Sequence, residues 1–578
     1  MSIYTVHKKT GTYSELLETY GLANFLQKIF DSVNVPDNEI VITDKGYCFE
    51  VSTSIDITDD IISKVKYFPP FKYIKQKEHS DFSKYPSFYD YPKQKEWKNE
   101  RSVLTKAAYS ISDNDKRKNE IKRIKEIFEA KKPIDTEYDV YSQIIQDSNN
   151  VPAFLKLYSN FHNNQNYFVD IIRIILSYYQ GKKYENDTIS DVLKSSKSYK
   201  ITALQLYNPN QGKGLKSEKA NTVEKKNCAV LWIPETMKIS GALSDMICQL
   251  VKVGSSYDLK IFVPEYKQLT FQQKNDLIAK FKTYTKGNTP IKIDVLYILL
   301  LTKTLIENTG FLGRRHKVKD IVSGLHSVYQ KDMGKKRSVA NIGFIQIPSF
   351  IEIGSKQDVQ VWVEILQEQM VIIGKMKEKN DATPGLMMYR DFISGSNIND
   401  FFKFSYWYAE YLMSQLSKQN KPKAFTINTL NKLYYSMDNQ EISLKSIIEN
   451  EGFKAVADAI RKSTVSLQYL PKDQRKYEIR YGVAQALQTK SKTKTDLAEY
   501  IGEFISLYNA ETSRKAEKDD RAFRKNVRED KLSQFYELLD RHSSKLIGAL
   551  LASYGFALLK KSQSDDDEDN LIEDENEQ

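Results

Sequence analysis

Apolar residues recur at near-helical spacing through Leu16, Leu17, Tyr20, Ala23 and Phe25, which predicts an amphipathic helix. Thr12 and Glu15 in "TYSE" fit a capping box that would start it. Residues 41–57 alternate and predict strands. Helical periodicity returns on a basic segment, 114–132, and again from 138 to 179. The texture then changes. "CAVLWIPE" (Cys228–Glu235), "KIFVPE" (Lys260–Glu265), "IGFIQIPSFIEI" (Ile342–Ile353) and "VQVWVEI" (Val359–Ile365) are rich in branched or aromatic residues and predict strands, with helices between them. From about Ile442 strand signals stop. Four segments with helical stripes follow, the first pair broken by Pro471.

The pattern predicts an α+β fold. A mixed body covers 1–440, a helical bundle 441–562, and an acidic disordered tail 563–578. A chain of 578 residues exceeds a single core, which agrees with that division. The longest apolar runs, "VLYILLL" (Val295–Leu301) and "LIGALLASYGFALL" (Leu546–Leu559), are shorter than the roughly 20 residues of a spanning helix. They are expected as buried helices, with no membrane partner. The N-terminal residues lack the apolar core of a signal peptide, and the three cysteines (Cys48, Cys228, Cys248) form no CxxC pair. Both features suit a reducing cytoplasm.

Charge adds a partner class. The formal net charge is +11, and Ser564–Gln578 holds nine acids and no base; setting those nine aside leaves +20 on the rest. Such an excess attracts polyanions, although a merely soluble basic protein would share it. Lys66–Trp97 interleaves ten aromatic residues with seven lysines and four prolines. Such interleaving suits stacking and phosphate pairing along a nucleic-acid strand. The rings would equally pack a long loop onto the body, which is the preferred reading for most of them. The prolines oppose a regular helix there.

Catalytic motifs are missing. "NPNQGKGLKSEKAN" (Asn208–Asn221) is no phosphate loop, because Gly214 stands where the pattern needs a hydroxyl after Lys213. The six histidines (His7, His79, His162, His316, His326, His542) are scattered, and none is followed by Asp. No nucleophile elbow, HExxH or kinase set occurs. No catalytic residue, metal or cofactor is therefore expected.

Three glycine-basic stretches remain. In the Asn208 loop, glycines Gly212 and Gly214 let the backbone approach a groove. Asn210 and Gln211 can donate to base edges, while Lys213, Lys216 and Lys219 can reach phosphates. "GRRHKVK" (Gly313–Lys319) supplies Arg314 and Arg315, and "GKKRSVAN" (Gly334–Asn341) supplies Lys335, Lys336 and Arg337. A solvated face explains any one alone; three together suggest a DNA-facing surface. A further basic run contains Arg521, Arg524 and Arg528. It is read either as a self-paired solvated face or as a groove for a displaced single strand.

"YGLANFLQ" (Tyr20–Gln27), "YNPNQGKG" (Tyr207–Gly214) and "RYGVAQAL…FISLYNAE" (Arg480–Glu511) resemble the large subunit of type I CRISPR surveillance complexes. This is the Cas-eight family of Cascade, nearest its I-B and I-A branches. The resemblance implies a non-catalytic subunit that reads a protospacer-adjacent motif on double-stranded DNA and helps open the duplex. It further implies partners: guide crRNA, the Cascade backbone and handle-capping subunits, the displaced strand, a small subunit and the helicase-nuclease Cas-three. Some relatives make the small subunit from an internal start; here Met437 would begin a product of 142 residues ending at Gln578. A freestanding RNA-binding or ribonucleoprotein scaffold protein is the alternative, and a metal-dependent nuclease with unrecognised carboxylates is a third.

Overall fold

The computed structural model describes the chain apart from residues 36–38, 78–81, 132–137, 147–149, 183–199, 212–228, 255, 285–288, 309–315, 335–336, 379–380, 438–443, 519–523 and 560–578. Helices and sheets are both present, and the last part of the described chain is helical. The expected acidic tail lies outside the described residues. Contacts divide the chain into two units. The first holds 1–250, 254–278 and 325–344; the second holds 251–253, 279–324 and 345–578.

The first unit is organised by the predicted N-terminal helix, Ser14–Ser32. Its apolar stripe is buried, each large side chain contributing on the order of 2 kcal/mol by leaving water. The capping box does not form: Tyr13 is the cap and makes no side-chain cap bond, while Glu15 accepts from Thr10 Oγ1 at 2.8 Å. One side of the helix meets Trp232–Asp245. The two backbones touch at paired glycines. A Cβ on Gly21 would lie 1.8 Å from the Met237 carbonyl oxygen, and one on Gly241 would lie 1.9 Å from that of Leu17. The helix also contacts a sheet in the order Ser2–His7, Cys48–Thr53, Ile40–Asp44, Gln268–Thr270, all antiparallel neighbours. A second four-stranded sheet has the order Arg337–Gln346, Val322–Asp332, Ser256–Tyr266, Ile247–Val253, and all but the strand ends belong to this unit.

Three local expectations are corrected. "CAVLWIPE" is mostly helix: only Ala229–Leu231 is strand, and Trp232 opens the helix with Pro234 in its first turn, where no intrahelical donor is lost. "VQVWVEI" lies inside the helix Lys356–Lys375, capped by Ser355, which accepts from the Asp358 amide. Its buried positions Trp362, Ile365, Leu366, Gln369, Ile372 and Ile373 keep a helical period that outweighs β-branched content. The proline-rich stretch is not irregular throughout. Tyr91–Tyr109 is a helix whose Pro92 sits in the first turn and whose Asp90 accepts from the Lys93 amide.

The second unit carries the two apolar runs as buried helices, Lys292–Glu307 and Ser544–Gly555. Helices begin to dominate at Lys356 rather than at Ile442. The expected bundle also does not stand apart from what precedes it. The helices Ile398–Ser417 and Ile427–Ser436 cover Ser544–Gly555. Tyr434 stacks on Tyr554, the Tyr434 hydroxyl shares a 2.7 Å hydrogen bond with Ser553 Oγ, and the Tyr554 hydroxyl donates to Asn431 Oδ1 at 2.7 Å. The contacts thus group 345–440 with the helices after it. No helix among the described residues is long and apolar enough to cross a membrane.

Candidate nucleic-acid interface

The Asn208 stretch starts from a root held by several hydrogen bonds. Ser14 Oγ donates to the Tyr207 carbonyl at 2.9 Å, and the Tyr13 hydroxyl donates to the Leu206 carbonyl at 2.7 Å. Both hydroxyls come from the start of the N-terminal helix. Asn208 is buried. Its Nδ2 donates to Glu235 Oε2 at 2.8 Å and to the Leu204 carbonyl at 3.1 Å, and its Oδ1 accepts from Lys238 Nζ at 2.8 Å. Lys238 also pairs with Glu235 at 2.9 Å.

Around this lysine stand Glu15, Glu18 and Glu235, all buried. Burial pushes the Glu18 carboxyl up to about 7 against the opposing pull of Lys238 and of the Tyr179 hydroxyl, which donates to it at 3.0 Å. Burial also raises Glu235, offset in part by Lys238 and Asn208. Burial alone would lower Lys238, but Glu235 and Glu18 outweigh it and raise it. The root therefore holds more carboxylates than cations.

From this root the chain makes one tight turn, Pro209–Gln211. Asn210 is half-buried there, and its Oδ1 is a buried acceptor without a partner among the described residues. Gln211 shares the turn. Gly212, Lys213, Gly214, Lys216 and Lys219 lie outside the described residues, as do Arg314, Arg315, Lys335, Lys336 and Arg521. Arg337 opens its strand half-buried, with a guanidinium nitrogen donating to Gln143 Oε1 at 2.7 Å. Arg314 and Arg315 fall in the second unit's stretch of chain, whereas the other two glycine-basic stretches fall in the first.

The basic run of the second unit is not one exposed stripe. The helix Lys494–Ala516 ends before it, and a new helix starts at Glu529. Arg524 is 2 % exposed at its side chain. Its guanidinium lies between the rings of Tyr477 and Tyr508, 4.0 Å from each centroid. It donates to Thr512 Oγ1 at 2.8 Å, to the Tyr508 carbonyl at 3.0 Å and to Glu511 at 3.0 Å. Arg480 approaches the same Glu511 at 3.6 Å and lies over the Phe504 ring. Burial pushes the Glu511 carboxyl up, but the Glu478 amide and the two guanidiniums outweigh it and hold it below the usual range. Arg524 thus ties the chain to the helix instead of facing solvent, a correction to the exposed groove expected from its neighbours. Arg528 is the contrasting case: 73 % exposed, with a 3.3 Å pair to Asp530.

The sequence reading missed both ionic centres. Glu15 and Glu18, interleaved with Leu16, Leu17 and Tyr20 in the first turns of the helix, were the available signal for the first. Nothing in the basic run marks Arg524 apart from Arg528. Among the described residues no group of three or more His, Cys, Asp or Glu side chains converges as a metal site would require. No family profile matches this chain, and no curated protein matches it.

Proposed function

We propose that the chain is the non-catalytic large subunit of an RNA-guided, Cascade-type DNA-surveillance complex. In this reading the first unit presents the Asn208 loop to a short duplex motif, guide pairing reads the remaining sequence, and the chain recruits a separate helicase-nuclease. The observation that carries the reading is the root of that loop. Tyr207 and Asn208 are locked to both helices of the glycine-paired crossing, so Asn210 and the residues after it start from a fixed base. A motif reader needs that, because a base contact worth about 1–3 kcal/mol is lost when the donor wanders.

The three stretches that carry the family resemblance each include packing residues. Tyr20–Leu26 except Asn24, Tyr207, Asn208, Val483, Leu487, Phe504 and Tyr508 are all buried. They support the scaffold, and the motif contacts follow from the loops it carries. A product starting at Met437 would leave behind Ile398–Ser417 and Ile427–Ser436, which cover Ser544–Gly555. Such a small subunit would need its neighbours in the complex to cover that helix.

The test is co-purification of the tagged chain with guide RNA and backbone subunits, followed by selection from a randomised duplex library. Recovery of guide RNA together with one enriched short motif is expected. A chain that purifies without guide RNA, or a complex that enriches no motif, would overturn the reading.

A further inference from the structure

The geometry points to a second nucleic-acid surface on the first unit, built to hold a single strand by base stacking and phosphate pairing. It stands on none of the stretches that carry the family resemblance. Two short strands, Tyr73–Lys75 and Phe88–Asp90, run parallel side by side. Their inward residues Ile74 and Tyr89 are buried. The other face carries Tyr73, Phe88, Lys75 and Asp90, of which Lys75 is buried and pairs with Asp90 at 2.8 Å, fixing the ribbon.

Most rings of this stretch do pack, as preferred from sequence. Tyr73 stacks on Tyr85 at 3.8 Å, and Phe71 meets Phe154 at 4.7 Å. Phe88 does not go under: it remains 38 % exposed beside Phe82. Just past the C-terminal ends of the two strands opens a shallow hollow of about 600 Å³. Lys77, Tyr91 and Pro92 line it, with Lys95 and Asn99 from the next helical turns.

This chemistry is what a strand needs. The Tyr91 and Phe88 rings offer stacking faces that any base can use. Lys77, Lys93, Lys95 and Lys106 are exposed and make no ion pair among the described residues. Lys95, Asn99, Ser102 and Lys106 share the helix face opposite buried Trp97 and Ala108, a track of about 16 Å. Glu96 and Glu100 also line the hollow. They oppose phosphate at their wall and can accept from base amino groups there.

The full-length chain should be titrated into fluorescein-labelled oligothymidylate, oligouridylate and a duplex of equal length, read by anisotropy over a range of salt. Binding of either single strand more tightly than the duplex is expected, and the tighter arm distinguishes DNA from RNA. Tyr91→Ala should weaken it about fivefold or more, whereas Tyr91→Phe, which keeps the ring, should not. Lys77→Ala with Lys95→Ala should lower the log–log salt slope by about 0.7 for each lost contact. Unchanged urea midpoints would show that the variants are folded. Failure to bind either single strand would overturn the proposal. So would Tyr91→Ala binding like the parent, or an equal loss from Lys118→Ala, Lys122→Ala and Lys125→Ala on the neighbouring helix.

Discussion

The first unit's ionic centre gathers three carboxylates round Lys238, and the second unit's gathers two guanidiniums round Glu511. Each secures the base of a lysine- or arginine-rich stretch, and each is largely removed from water. Their imbalance has opposite sign, so acid and base act on them oppositely. Excess carboxylate in a dry site is relieved by a proton, which raises the acid's pKa. Excess guanidinium cannot be relieved that way, because arginine keeps its charge, and the lone carboxylate is held ionised. The comparison teaches that the basic stretches are not self-explanatory: what anchors them can carry either sign.

The largest expected effect lies in the cation-rich centre. Arg524→Ala removes three hydrogen-bond partners and the filling between two rings, and it should cost roughly 3–5 kcal/mol in urea unfolding. Arg524→Lys should not restore it, since only a planar guanidinium fits between Tyr477 and Tyr508. A loss below 1 kcal/mol would mean that the two centres are not comparable anchors.

The next test separates the centres by pH. Glu18 has a folded pKa of about 7 against an ordinary value of 4.5. A raised pKa gives stability that is full below about 4.5 and is lost as pH climbs through 7, about 3 kcal/mol in all. Glu18→Gln should flatten that loss between pH 4.5 and 7.5. Glu511 is lowered, so its contribution is present above the usual carboxylate pKa and fades as pH falls through its folded value. Unfolding free energies of the parent and of Glu18→Gln across that range check the sign; a parent that grows more stable through pH 5–7 while the variant does not would reverse it.

A third variant reaches the acidic centre without touching a charge. Gly241→Ala places a Cβ against the Leu17 carbonyl and forces the helices apart, for an expected loss of about 2 kcal/mol in the same unfolding assay. Because Asn208 is held by one of those helices and Tyr207 by the other, amide exchange at 204–208 should rise with it. Exchange unchanged at those positions would detach the loop root from the crossing. The smallest effect belongs to Arg528→Ala. Its exposed pair with Asp530 should be worth under about 1 kcal/mol, and a larger loss would place Arg528 in the anchor as well.

The apolar pattern along the chain was enough to locate some of the long helices. Ser14–Ser32 was legible from its periodic stripe, and Lys292–Glu307 and Ser544–Gly555 from uninterrupted apolar runs too short to span a membrane, all of them local properties of the chain. So were the strands Ile40–Asp44 and Cys48–Thr53, from simple alternation. Short apolar runs were not decisive. Val359–Ile365 reads as strand within seven residues and as helix only when the full twenty-residue period and the Ser355 cap are counted. Asn210 and Gln211 were found as candidates from composition, but the buried acids that root them were not.

What only the tertiary structure decided is which charges leave water. Arg524 and Arg528 are four residues apart in one basic run, yet one is sealed between two rings and the other is open to solvent. The sequence determined their charge and the helices on either side. Burial is set by Tyr477, Tyr508 and Glu511, whose positions relative to Arg524 depend on how Lys494–Ala516 packs and on how the chain returns to it. The same holds for Glu18, whose pKa is raised by burial and held back by Lys238 and the Tyr179 hydroxyl, both more than 150 residues away in the chain. Periodicity sums over neighbours in the chain, whereas desolvation sums over neighbours in space, and only folding brings the second set together.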